Sequence, residues 1–175
     1  MQMIWDRQFG FLKETLVAPV PRSAIMFGRT LGGATGATLQ GCLVLFITLF
    51  VGFHLYSWAL LRPAILVMLL VALLFSALGL MVASLLRDMQ GFQLIMNFLV
   101  MPLFFLSGAI FPLKGAPTAL RWIAGADPLS YGIDAMRALL INVSTYGLGV
   151  DLAVLGVFTL VFLGLGSYFF SKIQV

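Results

Sequence analysis

Between Arg62 and Arg87 the chain reads Pro63-Ala64-Ile65-Leu66-Val67-Met68-Leu69-Leu70-Val71-Ala72-Leu73-Leu74-Phe75-Ser76-Ala77-Leu78-Gly79-Leu80-Met81-Val82-Ala83-Ser84-Leu85-Leu86. No charge interrupts it, and it exceeds the roughly 20 apolar residues that a helix needs to cross a bilayer core. It is apolar all round rather than along one stripe, which suits a helix in lipid better than a soluble amphipathic one. A membrane β-strand would alternate every second residue, and the run Ile65 to Val71 does not. This stretch makes the chain an all-α integral membrane protein.

Three further stretches repeat the pattern. They lie between Arg29 and His54, between Asp88 and Lys114, and between Asp151 and Lys172. The four spans are expected at 30–53, 63–86, 91–112 and 152–171, within a single transmembrane domain over 1–175. Composition agrees. Of 175 residues, 62% are hydrophobic and 9% charged, against roughly 25% charged in an average soluble domain. So few charges cannot cover a soluble surface, which excludes an ordinary soluble enzyme, a disordered tail and a nucleic-acid binder. The pI of about 9.6 reflects a few basic residues in a chain nearly without acids. Cys42 stands alone, so no intrachain disulfide forms. Asp6, Arg7, Lys13 and Glu14 break up the first residues, so no secretory signal is read there.

Four crossings put both termini on one side. On that side lie Arg7, Lys13, Arg22, Arg29, Arg87 and Lys172; on the other lie Arg62, Lys114, Arg121 and Arg137. The positive-inside rule then predicts cytoplasmic termini. Within the spans, Gly28, Gly32, Gly36 and Gln40 recur at four-residue spacing, with Gly33, Ala37 and Gly41 beside them. Ala72, Ser76, Gly79 and Ala83 repeat this more weakly. Such faces let helices approach closely, and the pattern fits both static packing and a sliding surface. Pro102 is expected to kink the third span, and Asn97 to bond across to another helix. No ionisable residue is expected deep in a span, which argues against ion coupling. His54, the one histidine, sits at a span edge with no catalytic companion, which argues against an intramembrane enzyme.

Two segments are not spans. In residues 1–22, Phe9, Leu12 and Leu16 recur at helical spacing beside Lys13 and Glu14, predicting a short amphipathic helix stopped by Pro19. It suits the membrane surface or a cytoplasmic partner equally. Residues 113–150 are too apolar for a solvated loop. A short helix over 119–124 breaks at Gly125, and Asp127-Pro128 then starts a second, with Asp as cap and Pro in the first turn. That second helix is too short to span, so a re-entrant or interfacial hairpin is predicted. Asp134 and Arg137, three apart, are expected to pair on it.

At these residues the chain resembles the membrane subunit of type-2 ATP-binding-cassette exporters, the drug- and polysaccharide-export permeases. The stretch from Asp6 to Arg22, including Gly10, is similar to the family's coupling helix and the turn after it. Leu106-Ser107-Gly108-Ala109-Ile110-Phe111-Pro112-Leu113 is similar to the end of its fifth helix. Asp127-Pro128-Leu129-Ser130-Tyr131-Gly132-Ile133-Asp134-Ala135-Met136-Arg137 is similar to its re-entrant helix. The resemblance implies a multi-pass plasma-membrane permease of a prokaryote, working with a second permease copy and a cytoplasmic ATPase. Phe9, Gly10, Leu12, Lys13, Glu14, Leu16 and Pro19 would meet that ATPase. The chain itself would need no cofactor, with ATP and Mg on the partner; it has no G-x-x-x-x-G-K-[S/T] loop to cradle phosphates. Family members carry two further spans ahead of the coupling segment, so the expectation is a truncated permease, with an inactive fragment, an ATP-independent carrier or a channel as the alternatives.

Overall fold

The structure is a computed structural model and describes residues 21–86, 88–110 and 118–172. The segment from Phe9 to Pro19 lies outside the described residues. Every regular element among the described residues is helical, and four helices are long and apolar enough to cross a membrane.

Helix α1, Arg22–Phe50, starts directly after Pro21 and ends where Gly52 takes a φ of +104°, open to glycine without strain. Thr30, Thr35, Thr38 and Thr48 return their hydroxyls to carbonyls of the preceding turn. That satisfies each hydroxyl within its own helix, as an apolar surrounding requires. A 3₁₀ turn, Trp58–Leu60, capped by Ser57, leads into α2, Leu61–Leu85. Helix α3, Met89–Leu106, is capped by Asp88 and runs through Pro102 to Ser107 and Gly108, whose φ is +77°. Two short helices follow, α4, Thr118–Ala126, and α5, Pro128–Ile141. Helix α6, Leu148–Ser171, closes the fold after Gly147 at φ +100°.

Helix α2 is the hub. It packs most extensively on α6, then on α1 and α5. Met26, Val82, Ala83, Phe92 and Phe170 form one core cluster, gathering the start of α1, the end of α2, the start of α3 and the end of α6. Ala64, Val67, Ala135 and Leu139 form another at the opposite end, between α2 and α5. The helices therefore alternate in direction. Arg22 fastens the chain's near end by donating to the Ser171 carbonyl at 2.6 Å, a cation placed at a helix C-terminus.

The expected span limits shift in a consistent way. Helix α1 begins at Arg22 rather than 30, and Arg29 lies inside it; α6 begins at Leu148 rather than 152, and Asp151 lies in its first turn. Charge marks where lipid ends, but it does not stop a helix whose backbone bonds are already made. The third span stops at Leu106 rather than 112 because the chain turns at Ser107-Gly108.

The small-residue stripe does not pack against the other described helices of this chain. Gly28, Gly32, Gly36 and Gln40 face outward, and a Cβ on any of these three glycines would meet nothing within 4 Å. The adjacent stripe does the packing: a Cβ on Gly33 would stand 3.1 Å from Ser76 Oγ, and one on Gly41 3.5 Å from Met68 Sδ. Of the matching residues on α2, Ala72 and Ala83 are buried. Among the described residues Asn97 makes no bond to another helix; it is exposed on α3, on the same outward surface as Leu94, Phe98, Met101 and Phe105.

Candidate functional site

The polar residues of the far end converge on α5. Asp127 caps it as expected, with Oδ1 accepting from the Leu129 N–H at 2.8 Å and Pro128 in the first turn. At the other end Asn142 takes the left-handed conformation, φ 55°, and the Val143 N–H closes onto the Arg137 carbonyl. Asn tolerates that geometry better than most residues.

Three side chains then fasten this helix to three different neighbours. Tyr131 donates its hydroxyl to the Gly125 carbonyl at 2.7 Å, holding the end of α4, and stacks on Tyr146 with ring centres 4.9 Å apart. Asp134 accepts from the Thr145 and Tyr146 N–H groups, each at 2.8 Å, and from the Ser144 hydroxyl at 3.1 Å. This folds the loop before α6 against α5. Arg137 donates from Nη2 to the Gly108 carbonyl at 2.8 Å and to Ala109 at 3.5 Å, tying down the end of α3. The expected Asp134–Arg137 pair is therefore not made. Each residue finds stronger partners in a neighbouring segment than the exposed i, i+3 attraction offers.

The electrostatics follow from these contacts. Burial pushes the Asp134 carboxyl up, but the N–H groups of Tyr146 and Thr145 and the Ser144 hydroxyl outweigh it and hold it below the usual carboxylate range. Asp127 shows the opposite balance. Burial raises it from 3.8 to about 6, against the Leu129 N–H and the Ser130 hydroxyl beside it. Its Oδ2 is buried without a partner.

Sequence reasoning missed Asp151. It is wholly buried, neither carboxylate oxygen has a hydrogen-bond partner, and it feels the charge of Asp134. The available signal was an acid four residues after Gly147, where a helix N-terminus favours one.

Beneath α5, facing α1 and α2, lies a cavity of about 600 Å³. Gly41, Met68, Ala72, Phe75 and Met136 are among its walls, and Arg137 is its one charged lining residue. Its floor exists because Gly132 brings the α5 backbone close to α2; a Cβ there would stand 2.8 Å from Val71 Cγ2.

Comparison with known proteins points one way. The family model described as ABC-2 type transporter matches residues 1–141. The chain is similar to the inner membrane transport permease YadH of Escherichia coli (strain K12), 31% identical over 152 residues, which covers 86% of this chain and 58% of that protein. It is similar to nodulation protein J of Rhizobium leguminosarum bv. viciae, 27% identical over 146 residues, 83% of this chain and 56% of that protein. The putative transport permease ycf38 of Cyanophora paradoxa is 29% identical over 140 residues, 79% of this chain and 48% of that one. The chain thus spans about half the length of these curated relatives. No solved structure matches it.

Proposed function

The chain belongs to the ABC-2 type transporter family, and from that premise we propose that it is the membrane-spanning permease part of an ATP-driven exporter. The observation that carries this is continuity: one family match runs from residue 1 through the first three spans to the end of α5. The segment ahead of α1, with Phe9, Gly10, Leu12, Lys13, Glu14, Leu16 and Pro19, is the contact for a cytoplasmic ATPase subunit, which holds ATP and Mg. A second permease copy supplies the other wall of the substrate path.

The charge distribution supports cytoplasmic termini in a plasma membrane. Among the described side chains, the end with the start of α1 and the end of α6 carries Arg22, Arg29 and Lys172 against Asp88. The far end carries Arg62 and Arg137 against Asp127, Asp134 and Asp151. The basic excess sits where the positive-inside rule places cytoplasm. The far-end fastenings then have a use. With α5 tied to α4, to the end of α3 and to the loop before α6, movement of the spans at the near end displaces the far end as one body.

The test is co-reconstitution with an ABC ATPase subunit from the same genome. ATP hydrolysis is expected to change when the permease is present, and Leu12→Ala with Leu16→Ala to abolish the change. No association and an unaltered rate would sink the coupling role. One observation favours a second reading, an ion-coupled carrier: the buried, unpartnered Asp151 is the ionisable group such a carrier needs. Transport that persists without ATP and stops when the ion gradient collapses would select it.

A further inference from the structure

We propose that the cavity beneath α5 holds one acyl chain of an acidic membrane phospholipid, with its headgroup on Arg137. Three observations converge. First, the lining is apolar throughout except for Arg137, and about 600 Å³ falls within the roughly 300–1,000 Å³ of sites that bury a drug-sized ligand. Second, Arg137 is not neutralised. Its bonds go to the uncharged carbonyls of Gly108 and Ala109, and among the described residues no carboxylate pairs with it. A guanidinium offers five N–H donors in a planar fork that matches a phosphate, so an anionic head completes what two carbonyls leave open. Third, the depth is that of one leaflet. Arg137 is level with the end of α3, where the spans leave the apolar layer. From the start of α2 at Leu61 to the cavity residue Ala72 the helix descends about 16 Å, close to half of a hydrocarbon core of roughly 30 Å.

The site lies inside one chain and does not depend on the ATPase. Its occupant comes from the leaflet at the far end, and by wedging α5 against α1 and α2 it stabilises the hairpin.

The test uses the full chain in nanodiscs of equal phosphatidylglycerol and phosphatidylcholine, extracted gently and weighed by native mass spectrometry. The expected result is one retained phosphatidylglycerol per chain, enriched roughly ten-fold over phosphatidylcholine, as a charge-assisted contact gives. Arg137→Gln should bring the two lipids to parity, while Arg137→Lys keeps most of the preference. Gly41→Phe, which fills the cavity from α1 without touching Arg137, should release both lipids while helical content stays unchanged. Equal retention of both lipids by the unaltered protein overturns the proposal. So does phosphatidylglycerol that survives Gly41→Phe, which places the lipid elsewhere, or retention of neither, which means that protein fills the cavity.

Discussion

Asp134→Ala offers the sharpest test of how the far end is held. The carboxylate is 5% exposed and gathers two backbone N–H groups and one hydroxyl from the 144–146 loop. Hydrogen bonds to a charged acceptor contribute roughly 1.5–3 kcal/mol each. The loop residues Ser144 and Thr145 are exposed, so the released donors find water and recover part of that. The two backbone bonds then leave a loss of about 3 kcal/mol. Removing the charge also relieves Asp151, which feels it, returning about 1 kcal/mol. The net loss, about 2 kcal/mol, is local to the loop and corresponds to roughly 30-fold in an opening equilibrium.

Hydrogen exchange at the Thr145 and Tyr146 amides reads that equilibrium directly. Both should exchange roughly 30-fold faster in Asp134→Ala, with amides in the middle of α2 unchanged. The pH dependence has a fixed sign. The folded carboxyl sits below its ordinary value of 3.8, so its contribution is full above that value and is lost as pH falls through the lower, folded one. Protection should therefore be flat from neutral pH down to about 5 and fail only in stronger acid. Unchanged exchange at both amides in Asp134→Ala would falsify the account of the loop's anchoring, which rests on their bonds to that carboxylate.

Three further outcomes are expected. Asp127 titrates in the opposite sense: its folded value, about 6, lies above 3.8, so its contribution is complete below about pH 4 and falls as pH rises towards 6. Asp127→Asn keeps a capping oxygen, so the slope of the unfolding midpoint should shrink, and an undiminished slope refutes the assignment. Gly132→Ala should destabilise the chain by about 1–3 kcal/mol, because its methyl drives into the stiff side chain of Val71; Gly32→Ala, with open space around it, should be neutral or gain up to about 1 kcal/mol. Unfolding in mixed micelles compares the two, and an equal cost would contradict the packing described. Asp151→Asn, read by the same assay at neutral pH, should stabilise by roughly 1–3 kcal/mol by removing a buried, unpartnered charge; a loss of stability would mean that a partner holds Asp151.

What could be read from the sequence divides by the range of the interaction. The span Pro63 to Leu86 was legible because an uncharged apolar run of that length has few stable alternatives in water or lipid. Asp127-Pro128 was legible because a cap is made within two residues: Asp127 Oδ1 reaches Leu129. Arg137 was misread for the complementary reason. Its partner Gly108 is 29 residues away, and a helix considered alone offers only Asp134. The stripe on α1 was ambiguous for a different reason. Two neighbouring rows of small residues run along that helix, and local chemistry does not distinguish them; the choice falls to Ser76 and Met68 on α2. That choice leaves Gly28, Gly32 and Gly36 on an open helix face, next to exposed Phe27, Leu31 and Leu39. Lipid is as apolar as leucine, so such a surface costs little in a membrane, but glycine in an open helix face is unfavourable by up to about 1 kcal/mol per residue relative to alanine. Three glycines at that spacing are tolerated there because α2 and α6 hold the other side of α1 in place.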